Sequence, residues 1–320
     1  MTGASGFIGR HVCFDLLRQG YSVRALTRDP TGVEPGVEAR FAPDLLNVEL
    51  LRTGFRGVDA VIHLAGRAHV MSDRAGEAIY RAVNVEGTRA VAQAAAAESV
   101  RQIIFASSVK AIGEGGDASL SDDSAERPQD AYGRSKLEAE QLLYEIAERG
   151  EVPVTILRFP LVYGPGVKGN VRRLLGAIWR GLPIPVGGVR NTRSMLGVDN
   201  IVAFIGQILQ APLVSQRPFL LSDRESVSTE TLVRMIGTGL GRRPRIVKLP
   251  LRLLRGLASV GDLVARSGIP ALTNAHVDRL IGSLIVDSSR AWREADIDPP
   301  VSLEVGITRT AAWYLSEGRR

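Results

Sequence analysis

Short apolar runs alternate with longer, helically spaced segments through the first half of the chain. Ser22–Thr27, Ala60–Leu64, Gln102–Ser107 and Val154–Phe159 predict strands. Gly9–Gln19, Glu77–Glu98 and Tyr132–Arg149 predict helices. Strands that alternate with helices of this length predict βαβ units, and hence an α/β fold with a parallel sheet covered on both faces. After Pro165 the rhythm breaks into short pieces punctuated by Leu182-Pro183-Ile184-Pro185 and Gly187-Gly188. This half is expected to face the substrate and to lend a further strand or two to the main sheet. Leu249–Ala265 is apolar at helical spacing and predicts a core-packed or lid helix, with a membrane-surface helix as the alternative.

Gly3-Ala4-Ser5-Gly6-Phe7-Ile8-Gly9 runs straight into a helical pattern. Glycines so spaced permit a tight turn and let backbone amides approach a pyrophosphate at a helix N-terminus. Such a turn should follow a central strand, yet only Met1 and Thr2 precede Gly3. The expectation is a truncated first strand, with the true start of the chain upstream of Met1. At the end of Ser22–Thr27, the second strand once a truncated first one is counted, Thr27 stands where an NAD site usually carries an acid, and Arg28 follows it. A basic residue there accommodates a 2′-phosphate, so NADP(H) is favoured, with Asp29 keeping NAD(H) open.

Tyr132-Gly133-Arg134-Ser135-Lys136 places a phenol and an ammonium four residues apart, on one helix face. A free phenol is too weak an acid for efficient proton transfer at neutral pH, and a nearby cation lowers its pKa. About two dozen residues upstream, Gln102–Ser107 and the adjoining Ser108 read as a buried strand ending in two hydroxyls. At the carboxyl end of a parallel strand these face the ligand crevice and can polarise a carbonyl.

Composition narrows the setting. The 320 residues are 45% hydrophobic and 23% charged, an ordinary globular balance. No apolar stretch approaches the length of a membrane span, and no signal peptide opens the chain. The single cysteine, Cys13, excludes an internal disulfide and a cysteine-based metal site, so no metal is expected and the setting is a reducing cytoplasm. The net charge of +6 is spread along the chain without interleaved aromatics, which argues against nucleic acid as a partner.

Together these motifs make the chain resemble an extended short-chain dehydrogenase/reductase, the group of nucleotide-sugar epimerases, dehydratases and reductases. The resemblance covers essentially the whole chain. It implies a Rossmann-type doubly wound sheet over residues 1–165 and a smaller, partly interleaved nucleotide-sugar region over 166–320. It assigns cofactor contacts to Gly3, Ser5, Gly6, Phe7, Ile8, Gly9, Arg28, Asp44, Leu45, Leu64, Ala65, Gly66 and Asn84. Pro160 and Val162, within Arg158–Gly166, are implied along the nicotinamide. It makes Ser108, Tyr132 and Lys136 catalytic, with Tyr132 and Lys136 also meeting the cofactor. Ser107, Asn170, Arg193 and Arg279 are implied to contact the substrate, the two arginines at a UDP diphosphate. It also implies a homodimer through Glu77–Glu98 and Tyr132–Arg149.

Sugar dehydratases of this group carry Asp-Glu directly after the catalytic hydroxyl, where this chain has Val109-Lys110. Dehydration is therefore not expected. Ser108-Val109-Lys110-Ala111-Ile112-Gly113-Glu114 resembles an epimerase-like subgroup that includes reductases forming UDP-N-acetylquinovosamine. The expected activity is reduction of a UDP-4-keto-6-deoxy-N-acetylhexosamine. A UDP-sugar 4-epimerase retaining NAD is the alternative, and a catalytically silent NADP(H)-sensing protein a further one.

Overall fold

The computed structural model describes residues 1–68, 76–113, 115–116, 118–265 and 273–317. Its first half runs α1 (Phe7–Arg18), β1 (Arg24–Thr27), β2 (Glu38–Phe41), α2 (Val48–Phe55) and β3 (Ala60–His63). Next come α3 (Gly76–Tyr80), a π-helical stretch over Arg81–Glu86, α4 (Gly87–Ala97), β4 (Gln102–Ser108), α5 (Ala131–Glu148) and β5 (Val154–Phe159). The second half begins with β6 (Leu161–Tyr163), α6 (Gly169–Trp179), β7 (Pro183–Ile184), β8 (Arg193–Gly197) and α7 (Val198–Gln210). It continues with β9 (Phe219–Leu220), β10 (Ser226–Val227), α8 (Thr229–Gly239) and β11 (Arg245–Ile246). Four helices close the chain: α9 (Leu251–Ala265), α10 (Asn274–Ile281), α11 (Ser289–Glu294) and α12 (Leu303–Ser316).

The main sheet is parallel throughout: β1 pairs with β2, and β3, β4, β5 and β9 follow one another. Met1 and Thr2 stand between the two sets. The Met1 carbonyl accepts from Leu26 N at 2.8 Å, Thr2 N donates to Ile62 O at 3.0 Å, and Thr2 O accepts from Leu64 N at 3.2 Å. The central strand missing from the sequence pattern is thus represented by two residues, both buried. Side chains alternate across the sheet, as a strand period of two requires. Ile104 packs with Leu16, Phe204 and Trp292 from α1, α7 and α11. Its neighbours Ile103 and Phe105 turn the other way, onto Leu51, Val91 and Leu143 from α2, α4 and α5.

The second half adds β9 to the main sheet and builds a separate sheet in the order β10–β8–β6. Tyr163, Leu175, Val233 and Ile307 fill a third core beneath it. The helix expected over Leu249–Ala265 is α9, and Leu254 and Ala258 pack on Val277 of α10 while Leu251 and Leu253 stay exposed. Among the described residues no helix is long and apolar enough to cross a membrane.

The single long helix expected over Glu77–Glu98 is instead α3, the π-helical turn and α4. A π turn accommodates an extra residue without ending the helix, and such turns collect at functional sites. Here it carries buried Asn84. Beside it lies a polar chain. Thr88 Oγ1 donates to Asn84 O at 2.6 Å and meets His63 Nε2 at 3.0 Å, while His63 Nδ1 meets Thr2 Oγ1 at 2.6 Å. Because Thr88 spends its proton on Asn84, His63 donates through Nε2 and accepts from Thr2 through Nδ1. Burial depresses the imidazole pKa to about 3, with the Lys136 charge adding to the effect.

Candidate active site

The glycine turn closes through Gly6 N, which donates to Gly3 O at 3.0 Å. Gly3 has φ +73°, and a β-carbon there would lie 2.6 Å from Ala65 N. At Gly9 a β-carbon would run into the Gly3 carbonyl oxygen and sit 2.8 Å from Ala4 Cα. Both positions are therefore held to glycine by backbone, which cannot move aside. Gly6 caps α1 with no side-chain hydrogen bond, so the first-turn amides of that helix keep their affinity for an anion. These residues fit the pyrophosphate of a dinucleotide, with Ser5 in the turn and Phe7 and Ile8 opening the helix.

Three further segments converge on this turn. Leu64-Ala65-Gly66 lies against it, Ala65 N donating to Thr2 Oγ1 at 3.3 Å. The β5–β6 segment returns to α1, where the Phe7 ring lies 3.6 Å from the position of a β-carbon on Gly164 and His11 Nε2 meets Pro165 O at 2.7 Å. Pro160 is buried and Val162 half-buried in that segment. The third is the π turn, whose Asn84 joins the first segment to α5. Its Oδ1 accepts from Arg67 N at 2.8 Å, and its Nδ2 donates to Ser135 Oγ at 2.9 Å. Leu45 packs on the core beside Gly87, and Asp44 turns back on Leu46 N at 2.9 Å.

Thr27 ends β1 buried, with Arg28 exposed after it. The Asp29 carboxylate is engaged locally, accepting from Thr31 N at 3.0 Å and Thr31 Oγ1 at 2.6 Å. Those bonds hold its pKa below the usual carboxylate range.

Ser108 ends β4 with its hydroxyl toward the Tyr132 phenol, and Lys136 lies one turn further along α5. The expectation that Lys136 lowers the phenol pKa is not met by this geometry. Lys136 Nζ donates to Ala106 O at 2.6 Å and lies 4.1 Å from the Phe105 ring centroid. Burial pushes Tyr132 up to about 12; Asp130, Tyr80 and Glu140 add to the rise, and the Ser108 hydroxyl opposes it. Burial also lowers Lys136 to about 8, against the pull of Glu140. The phenol is thus a proton donor at neutral pH, beside an ammonium that is still charged.

Ser107 faces elsewhere. Its hydroxyl donates to Glu140 Oε1, and Glu140 is the buried partner of Arg158, whose Nη2 reaches Oε2 at 2.5 Å. Arg158 also pairs with Glu126. Ser107 is therefore tied into an interior ionic network. Arg193 is half-buried on β8 with Nη1 donating to Gly282 O at 2.8 Å, and Asn170 is exposed in the first turn of α6. Arg279 belongs to α10, but its side chain lies outside the described residues.

Sequence reasoning missed Tyr80, whose ring centroid is 6.0 Å from that of Tyr132, and the ion pair of Lys110 with Asp130. It also missed Glu140. A four-residue step from Tyr132 to Lys136 to Glu140 was the available signal.

The glycine turn, the parallel sheet and the Tyr132, Lys136 and Ser108 side chains near its carboxyl edge place the chain among Rossmann-type α/β proteins. The chain belongs to the NAD dependent epimerase/dehydratase family, whose model matches residues 1–219, and it is an enzyme of that family. It is 33% identical over 328 residues to the UDP-glucose 4-epimerase of Vibrio cholerae, covering 100% of this chain and 96% of that one. It is 29% identical to the N-acetyl-alpha-D-glucosaminyl-diphospho-ditrans,octacis-undecaprenol 4-epimerase of Escherichia coli O157:H7, again covering 100% and 96%. Among solved structures, MoeE5 in complex with UDP-glucose and NAD matches with a TM-score of 0.76 and 26% identity, over 98% of this chain and 97% of that one.

Proposed function

We propose that this enzyme performs hydride chemistry at C4 of a UDP-linked hexose, and that it does so as a 4-epimerase. The observation that carries the C4 chemistry is the Ser108 hydroxyl turned toward the Tyr132 phenol, with Lys136 one turn on, beside the glycine turn. The two relatives described above, both 4-epimerases matched over 96% of their length, support epimerisation over a one-way reaction. A nicotinamide cofactor, when bound, supplies reversible hydride exchange at the sugar carbon. Tyr132 Oη passes a proton to and from the C4 oxygen, and Ser108 Oγ steadies that oxygen. Lys136 is within reach of Gly66 and Asn84 and would hold the cofactor ribose from there. Lys110 is bound in its ion pair with Asp130 and Val109 is buried, so the positions that carry acids in dehydratases offer no acid–base pair for losing water.

A second reading is reduction of a UDP-4-keto-6-deoxy-N-acetylhexosamine by NADPH. The protonated Tyr132 phenol and the exposed Arg28 beside a locally engaged Asp29 favour it. Arg193, Arg279 and Asn170 are proposed at the UDP diphosphate and sugar, and Glu77–Glu98 with Tyr132–Arg149 as a homodimer surface in the cytoplasm. Two incubations test the reading: UDP-galactose with NAD⁺, and the keto sugar with NADPH. Interconversion with UDP-glucose and no net cofactor consumption establishes the epimerase. Consumption of NADPH only with the keto sugar replaces it with the reductase, and inactivity toward both removes C4 chemistry and leaves the cofactor-sensing alternative.

A further inference from the structure

Lys110 stands where a cation is disfavoured. It lies in the short turn after Ser108, against the first turn of α5, and the positive end of a helix dipole repels an ammonium. What makes the position tenable is Asp130, the N-cap of α5. The Asp130 Oδ1 accepts from Gly133 N at 2.7 Å, and its other oxygen pairs with Lys110 Nζ. Contact is close on the backbone side too. A β-carbon on Gly133 would overlap the Lys110 carbonyl oxygen and lie 3.1 Å from its carbonyl carbon. Tyr132 lies between the cap and this glycine. Both side chains of the pair are partly exposed, at 28% and 38%, so its yield in stability is small. Its position, two residues from Tyr132 on one side and two from Ser108 on the other, suits a different task.

We propose that the Lys110–Asp130 pair is a positioning and tuning device for Tyr132: Asp130 fixes the helix turn that carries the phenol, and Lys110 cancels the field of that carboxylate at the phenol oxygen. The proposal rests on Tyr132 being the proton-transfer group. The charged and titratable groups facing that phenol are Asp130 and Glu140 of α5, Tyr80 of α3 and the Ser108 hydroxyl at the end of β4. Lys136 faces β4 from the next turn. Of the two carboxylates, Glu140 is already neutralised by Arg158 in the interior, which leaves Asp130 as the one that needs a partner at the site.

The test titrates Tyr132 directly in the full-length protein without substrate. Fluorinated tyrosine is incorporated to bring ionisation into the stable pH range, and the Tyr132 resonance is assigned by its loss in Tyr132→Phe. Lys110→Gln is expected to raise the midpoint by on the order of half a pH unit, and Asp130→Asn, which keeps a capping side chain, to lower it by a similar amount. The double variant returns toward the parent value, and Lys110→Arg stays with it. The acid limb of kcat in the oxidative direction should move with these midpoints. Coincident midpoints in Lys110→Gln, Asp130→Asn and the parent overturn the proposal. Shifted midpoints in a protein that turns over no nucleotide sugar uphold the tuning and discard the assigned reaction instead.

Discussion

Lys136 Nζ is hydrogen-bonded to the Ala106 carbonyl at 2.6 Å, so the ammonium of the Tyr–Lys pair is anchored to β4 and not to the phenol. Fixed there, it is a localised cation beside Gly66 and Asn84, where the cofactor ribose is proposed to lie. Burial sets its pKa near 8, so the charge is present at neutral pH and lost above that value. Turnover should fall as pH rises through about 8, together with cofactor affinity. Pre-steady-state rates and cofactor titrations across that range check it, and a profile that stays flat removes the ammonium from the mechanism.

Tyr132→Phe removes the transferable proton while leaving the ring between Tyr80 and Ser108. General acid–base groups contribute about 10²–10⁴-fold, and kcat should fall by that factor. Cofactor binding, read by quenching of tryptophan fluorescence, should persist. Equal loss of both would mean that the phenol is structural.

Gly9→Ala places a methyl group against the Gly3 carbonyl and Ala4 Cα. Overpacking typically costs about 1–3 kcal/mol, and here both neighbours are backbone in the turn itself. Cofactor affinity should drop by at least tenfold and the melting temperature should fall. Gly256→Ala is the control, since nothing lies near its β-carbon position and it sits within helix α9.

Much of this was legible beforehand, for definite reasons. Val154–Phe159 matched β5 to the residue because a strand buried on both faces reads as a mainly apolar run, interrupted here only by Thr155 and Arg158. Gly3 and Gly9 announced their turn because only glycine tolerates such backbone contacts. The interior partners were not legible. Ser107 and Glu140 are 33 positions apart and Arg158 a further 18, and no local period links residues at such distances. Two strand-end serines look equivalent in sequence, and only the fold turns one toward Tyr132 and the other into an ion network. The π turn at Asn84 was hidden as well, because one extra residue hardly disturbs an otherwise helical pattern.

That ion network yields a prediction that separates structure from substrate contact. Arg158 and Glu140 are buried together, with side chains 4% and 1% exposed, so removing one partner strands the other. Breaking such a pair costs about 3–5 kcal/mol, and Glu140→Gln or Arg158→Met should show it in urea unfolding. Replacing both with apolar residues should cost less than the sum. Ser107→Ala should lower stability only modestly and leave the KM for the sugar unchanged. A several-fold rise in that KM would instead return Ser107 to the substrate face.

The acid stability of the fold turns on His63. Its pKa is about 3 in the folded chain against an ordinary 6.5, so the unfolded chain takes up a proton that the native one refuses. The native state is therefore at full advantage above pH 6.5 and loses it progressively as pH falls toward 3. The slope approaches about 1.4 kcal/mol per pH unit well inside that window. Carboxylates add their own losses at the acid end, which makes the upper part, just below 6.5, the informative one. There His63→Gln, which retains a donor and an acceptor for Thr88 and Thr2, should be less stable than the parent at neutral pH yet flatter in its pH dependence. Unfolding free energies measured at closely spaced pH values decide the matter: parallel curves for parent and variant would mean that His63 is not the group whose protonation opens the sheet between Thr2 and β3.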